Sequence, residues 1–377
     1  MPVGNLKNNI YGLALPVLGK RCAWKAAADD PLQQILRKHH VVGACVQRFE
    51  KGKLTERHYT GYASLEPERR PVTSDTIFRT ASVAKMVTAL LVFRLQTLGE
   101  LSVQEEISAF LDYDVRNPHC PNAPITLGML LSHTSGLVDS EAYFASFQQP
   151  RPLQQLLGDA ATYLDAVPGT VFRYSNFAAG MIGCLLEKRF QMSLEELAQK
   201  TLFEPLGVQA TFDLAKVDEK VVADSYRVLP QARAFSAGMR IAAAKGMDHP
   251  DPEKHYLLAS GSLFLRAEDL VRLTLAAWNG ADGFLNEESI AQMQTPLLGW
   301  PQKEVQMRHG MGLFCMEEET VSSRVLWGHQ GFAYGAVNGV FFDREGNGFA
   351  SLNSGASEQR LGHLALLNRD LVRLWLK

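Results

Sequence analysis

The chain has 377 residues, of which 46% are hydrophobic and 21% charged, with Lys+Arg 38 against Asp+Glu 40 and a net charge of -2. That composition excludes a disordered, collagen-like or low-complexity chain, and the balanced charge supplies no basic field for nucleic acid. No run of about 18 or more apolar residues occurs, so no stable membrane span is expected.

The first feature in chain order is an apolar stretch, Ile10 to Gly19, behind Lys7. Pro16 interrupts it, Lys20 and Arg21 follow at once, and no small-x-small cleavage site appears, which argues against a cleaved export signal. Asp30 to His39 is predicted as a helix. Asp30 caps it, Pro31 suits its first position, and Leu32, Ile35 and Leu36 share one face. Val41 to Phe49 reads as a strand and Arg57 to Ala63 as its hairpin partner, with Lys51-Gly52-Lys53 turning between them. Thr80 to Leu98 is predicted as a strong helix: Val83, Met86, Val87, Leu90, Leu91 and Leu95 recur at helical spacing, and Gly99 ends it.

The middle third reads as mainly helical. Helices are expected from Thr126 to about Ser135-Gly136, from Leu153 to Leu164, from Asn176 to Phe190, and from Ser193 to Phe203, where Ser193 and Glu196 form a capping box. Gln209 to Pro252 has no clear period and is read as connections and surface excursions. Helices follow at Ala267 to Asn279 and Glu287 to Met293. Strands are then expected at Gly310 to Met316, Ser323 to Gly328, Ala336 to Asp343 and Gly348 to Asn353, with a hairpin turn over Arg344 to Asn347. Gln359 to Leu376 is predicted as a closing amphipathic helix.

Strands, then many helices, then strands and a terminal helix predict an α/β (α+β) fold. Its central, mainly antiparallel sheet is built from both chain ends and flanked by terminal helices, with a helical subdomain between. The expected organisation is one catalytic unit over 1–377, with a sheet portion at about 1–90 and 255–377 and a helical insertion at about 91–254. A cleft is expected where the two meet. Cys22, Cys45, Cys120, Cys184 and Cys315 are far apart and contain no C-x-x-C pair, which predicts buried free thiols and a reducing compartment, with one bridge plus free thiols as the alternative. His39-His40, His249 and His255 lack ligand spacing, so no metal is expected.

Ser82 and Lys85 stand i, i+3 at the start of the strong helix, about 5–6 Å apart at Cβ. The helix N-terminus favours a developing oxyanion. A serine needs a base to act as a nucleophile, and a lysine serves if burial brings its pKa well below about 10.4. Tyr174-Ser175-Asn176 precedes a predicted helix. A tyrosine hydroxyl can relay protons, and an asparagine amide can hold a substrate amide or orient a lysine. The ordinary alternative is a helix cap. His329-Gln330-Gly331 lies between two predicted strands, where glycine allows close approach of substrate backbone; a plain turn is the alternative.

Taken in order, Ser-x-x-Lys, Tyr-x-Asn and His-x-Gly resemble the serine β-lactamase and penicillin-binding-protein superfamily, in its class C β-lactamase, D,D-peptidase and esterase branch. Phe78-Arg79-Thr80-Ala81-Ser82, the phrase Leu130 to Leu137, and Pro168-Gly169 before Phe172-x-Tyr174-Ser175-Asn176 fit the same branch, and the likeness spans roughly Phe78 to Asn353. The resemblance implies a β-lactamase/transpeptidase-like fold with Ser82 as the acylated nucleophile. It implies that Lys85 and Tyr174 share the proton transfers, and that Asn176 contacts substrate and Lys85. It also implies an oxyanion hole made by the backbone N–H groups of Ser82 and Phe332, with no metal or cofactor.

Two departures bear on substrate. The β-lactamases of the branch carry Lys-Thr-Gly where this chain has His329-Gln330-Gly331, and a neutral imidazole and an amide hold an anion less well. The segment Ala259 to Arg266 also differs from the usual Gly-Gly-Leu. Phe332 and Tyr334 are read equally as aromatic lining for an acyl or aryl group and as sheet packing. The expectation is therefore an esterase or D-amino-acid peptidase acting on a small ester, peptide or β-lactam. A true class C-like β-lactamase is the first alternative, and a non-catalytic penicillin-binding or scaffold protein the second. An α/β-hydrolase would need G-x-S-x-G, which is missing, and no G-x-G-x-x-G or Walker A sequence occurs. The expected location is cytoplasmic, with periplasmic or secreted as the alternative.

Overall fold

The computed structural model describes residues 14–15, 24–245, 251, 254–300 and 305–377. Most of the Ile10–Arg21 segment, Cys22 and His249 lie outside the described residues.

A nine-stranded sheet forms the centre of the molecule. Its strands are β1 (Gly43–Glu50), β2 (Lys53–Ser64), β3 (Arg70–Pro71), β4 (Leu298–Gly299), β5 (Met307–His309), β6 (Phe314–Met316), β7 (Leu326–Ala333), β8 (Ala336–Asp343) and β9 (Gly348–Asn353). They lie in the order β3-β2-β1-β9-β8-β7-β6-β5-β4, and every neighbouring pair is antiparallel. The two chain ends meet at β1 and β9, where Cys45 faces Leu352 and Val46 faces Ser351. The β1–β2 turn places Lys51 at φ 49° and Gly52 at φ 73°. Positive φ at both central positions matches the right-handed twist of the strands it joins.

Period-2 alternation divides the sheet residues between two cores. Val340, Phe342, Ala350 and Leu352 pack toward α2 (Ala84–Thr97) and α4 (Ala267–Asn279). Phe341 and Phe349 pack toward α1 (Pro31–Lys38) and α5 (Leu366–Trp375). Helix α2 is apolar on nearly every side and buried over most of its length, as a helix enclosed by other elements must be. Helix α3 (Asn176–Phe190) is likewise buried over most of its length. Ser193 and Glu196 form the expected capping box.

Several expectations are corrected. The predicted Thr80–Leu98 helix begins as a 3-10 turn, Ala81–Val83, before α2 proper. Gln209–Pro252 contains a hairpin, Ser225–Val228 with Gln231–Phe235, and a helix, Ala237–Lys245. The predicted Gly310–Met316 strand shrinks to Phe314–Met316, because Gly312 turns at φ 90° and returns the chain to β5. The closing helix starts only at Leu366; Arg360–Leu361 and Leu364–Ala365 first form a small hairpin around Gly362 at φ 58°. His329-Gln330-Gly331 is no turn between strands but the middle of β7.

Cys45, Cys184 and Cys315 are buried and Cys120 is half-buried, and among the described residues none of the four forms a disulfide. Among the described residues no helix is long and apolar enough to cross a membrane.

Candidate active site

The site is assembled where the start of α2 meets β7 and β8. Ala81, directly before Ser82, has a left-handed φ of 52°. Such a conformation costs a residue with a Cβ about 1–3 kcal/mol and persists only where its surroundings hold it. Here the hold is specific. Thr80 N–H donates to the Leu263 carbonyl at 2.9 Å, and Asn338 Nδ2 donates to the Arg79 carbonyl at 2.9 Å. Gly331 is the cross-strand partner of Asn338. A Cβ at Gly331 would lie 2.5 Å from the Thr80 oxygen and 2.9 Å from the Ser82 nitrogen, so only glycine lets β7 lie this close to the serine turn.

Lys85 is buried one turn further along. Its Nζ donates to Ser82 Oγ at 3.2 Å, to Asn176 Oδ1 at 2.9 Å and to the Ser260 carbonyl at 2.7 Å. Burial pulls its pKa down to about 7, with Asp139 acting against that fall and the Arg79 charge adding to it. An amine that is about half neutral at pH 7 can accept the Ser82 proton.

Burial holds the Tyr174 hydroxyl pKa well above the usual tyrosine value, with the nearby Ser82 hydroxyl acting against that rise. Lys85 Nζ stands 5.1 Å from the centre of the Tyr174 ring. Of the two candidate bases, then, the phenol stays protonated through neutral pH and the amine does not.

Asn176 begins α3 and is held from behind. Its Nδ2 donates to Asp139 Oδ2 at 2.9 Å, while Asp139 Oδ1 accepts from Ser175 Oγ and from the Phe177 N–H, both at 2.9 Å. Asp139 lies two residues after the Leu130–Leu137 phrase, and sequence reasoning did not single it out. Nor did it find the Ser260 carbonyl, although the Ala259–Arg266 segment stood out as unusual. The Ser260 side chain turns away from Lys85, to the Leu257 carbonyl at 3.1 Å.

His329 is buried on β7. Its ring Nδ1 hydrogen-bonds the Gln330 carbonyl at 2.9 Å, and burial lowers its pKa to about 3, so it is a neutral imidazole at physiological pH. Gln330 points to the other face of the strand, as alternation requires. Its Nε2 donates to the His363 carbonyl, and its Oε1 accepts from Ala365 N–H at 3.2 Å and Asn368 Nδ2 at 3.1 Å. Gln330 therefore braces the small hairpin and the terminal helix. Phe332 follows Gly331, half-buried, with the Arg360 guanidinium 3.7 Å from its ring centre. Tyr334 is exposed and carries Arg79 over its ring.

The aromatic wall nearest Tyr174 comes instead from His133 and Phe172, inside the words already singled out, and from Trp300, His309 and His363, which the sequence did not flag. The His133 ring is 4.3 Å from that of Tyr174, Trp300 stacks 5.9 Å from it, and His363 stacks 4.0 Å from Trp300. His309 fills the space between His133, Phe172 and Trp300. Burial pushes the His133 and His309 pKa values well down, so the wall is uncharged. Ser82, Lys85, Tyr174, Asn176, His329 and Gly331 thus meet in one place. Among the described residues, no group of three or more His, Cys, Asp or Glu is placed to hold a metal ion.

Known proteins resemble this chain along most of its length. The beta-lactamase family model matches residues 28–371. Esterase EstB of Burkholderia gladioli is 25% identical over 295 residues, covering 70% of this chain and 72% of that protein. Penicillin-binding protein 4 of Amycolatopsis lactamdurans is 29% identical over 184 residues, covering 47% of this chain and 46% of that protein. The solved structure of EstCE1, a hydrolase with promiscuous acyltransferase activity, superposes with a TM-score of 0.73 at 21% identity, covering 97% of this chain and 99% of that one. A family match over most of the chain, on a shared fold, establishes that this chain belongs to the beta-lactamase family.

Proposed function

We propose that the protein is a serine hydrolase that cleaves ester or amide bonds through an acyl-enzyme on Ser82. The observation that carries this reading is the buried Lys85 amine, 3.2 Å from Ser82 Oγ, with its pKa brought to about 7. In acylation the Ser82 hydroxyl gives its proton to Lys85 as Oγ bonds to the substrate carbonyl carbon. The backbone N–H groups of Ser82 and Phe332 receive the oxyanion, a contribution of about 2.7–4 kcal/mol per donor in comparable sites. The proton passes from Lys85 by way of Tyr174 to the leaving oxygen or nitrogen as its bond to the acyl carbon breaks. Water then attacks the acyl carbon, giving its proton back along the same path, and Ser82 is released.

An ester is the first substrate class. The wall beside Tyr174 is aromatic and neutral, His329 supplies no charge, and a relative that matches 70% of this chain is an esterase. A D-amino-acid peptide is the second, favoured by Arg360 over Phe332, a cation close to where a terminal carboxylate would lie. Comparing kcat/KM for p-nitrophenyl butyrate, a D-alanyl-D-alanine peptide and nitrocefin tests the assignment. The ester is expected to lead. A nitrocefin value far above the other two would make the protein a β-lactamase, and no turnover or covalent labelling by any probe would leave a binding protein.

A further inference from the structure

The Asn176 amide can face two ways, and only one of them serves Lys85. Its oxygen accepts from Lys85 Nζ while its nitrogen donates to Asp139 Oδ2. Flipped, it would set N–H against the Lys85 ammonium and oxygen against a carboxylate. Asp139 accepts three hydrogen bonds, from Asn176 Nδ2, Ser175 Oγ and Phe177 N–H, each at 2.9 Å, so it presents no donor to an inverted amide. Two of the three partners belong to the first turn of α3, where a negative charge is also favoured by the helix dipole. The carboxylate is thereby anchored on a 15-residue buried helix rather than on a loose loop.

We propose that Asp139 is the positioning residue of this site: it locks the Asn176 carbonyl toward Lys85 and holds the counter-charge for the ammonium form behind it. The charged and titratable groups facing Lys85 are Arg79, Tyr174, Asp139, His133, His309 and His329. Arg79 disfavours the ammonium, and the three buried imidazoles and the phenol are uncharged at neutral pH. Asp139 alone in this group offsets the loss of solvation, which keeps Lys85 able to take up the serine proton and hold it until the leaving group accepts it. The inference rests on the reading of Lys85 as the base.

The test is the pH dependence of kcat/KM for p-nitrophenyl butyrate in wild type and Asp139→Asn. An asparagine at 139 still accepts from Phe177 and Ser175, but its amide nitrogen turns the Asn176 amide around and the charge is gone. Both effects disfavour the ammonium, so the acid limb is expected to move down by about one pH unit, the size of effect an opposite charge exerts on a buried group. Ser175→Ala, which removes the hydrogen bond to Asp139 and the N-cap bond from Ala178 but no charge, is expected to leave the limb in place. A folded Asp139→Asn variant whose limb coincides with the wild-type limb overturns the proposal while leaving the base assignment intact. A wild-type profile with no limb near pH 7 overturns the base assignment itself. If Asp139→Asn does not fold, Asp139→Glu decides: the charge stays but the amide is displaced, and kcat/KM is expected to fall tenfold or more at an unchanged thermal transition. Activity within twofold of wild type would overturn the lock.

Discussion

Gly331 and Ser82 touch across the strand–helix junction: a Cβ on Gly331 would stand 2.9 Å from the Ser82 backbone nitrogen. The contact couples a sheet strand to the turn that presents the nucleophile, and it fixes where an oxyanion would sit. Gly331→Ala must push the two apart. The expected result is a fall in kcat/KM of about 100-fold, the cost of misplacing a reacting group by about 1 Å. Steady-state kinetics beside a thermal melt separate this from loss of fold.

Gln330 provides the opposite outcome one residue earlier. Its amide serves the terminal segment through His363, Ala365 and Asn368. Gln330→Ala leaves buried partners unpaired and is expected to cost about 1–3 kcal/mol of stability, with KM for small esters unchanged. Denaturant unfolding and ester kinetics on the same sample check both halves.

Asp370 ties α1 to α5. Burial works against its ionised form, but hydrogen bonds from His39, Lys38 and Arg369 outweigh that and hold its carboxyl well below the usual range. The contacts are 2.8 Å to His39 Nε2, 2.7 Å to Lys38 Nζ and 2.8 Å to Arg369 Nη2. A folded pKa below the unfolded value gives stability that is present above about pH 4 and is lost as pH falls toward the folded value. Asp370→Asn is expected to cost roughly 2 kcal/mol at pH 7. The gap from wild type should narrow below about pH 4, as read by urea titrations across pH.

Arg360 separates the two substrate classes. If its guanidinium meets a terminal carboxylate, Arg360→Ala should raise KM for a D-alanyl-D-alanine peptide at least tenfold and leave KM for p-nitrophenyl butyrate within about twofold, since an unpaired anion forfeits about 1.5–3 kcal/mol. Equal effects on both substrates would show that Arg360 acts only by packing on Phe332.

Much of this was legible in the sequence because it is local or ordered. Ser82 and Lys85 share one helix turn, the Tyr174–Asn176 word opens a helix whose bounds follow from its own pattern, and β8 and β9 are mainly apolar runs. The residues that were not legible act across long separations. Ser260 reaches Lys85 through a backbone carbonyl, which leaves no trace in side-chain identity. Trp300 and His363 meet at Tyr174 only because β4 and the small hairpin before α5 fold back to the same edge. Gln330 was misplaced for a different reason: read as a turn, His329-Gln330-Gly331 has no faces, whereas within a strand alternate side chains must diverge.

The central claim is that Ser82 is acylated with Lys85 as its base. The most direct measurement is intact-protein and peptide mass spectrometry after reaction with a fluorophosphonate, taken as a labelling rate from pH 5 to 9. One adduct on the Ser82 peptide, absent in Ser82→Ala, with a rate that rises through a pKa near 7, is the predicted result. Labelling that persists in Ser82→Ala, or none in native protein beside a reactive control, would contradict it.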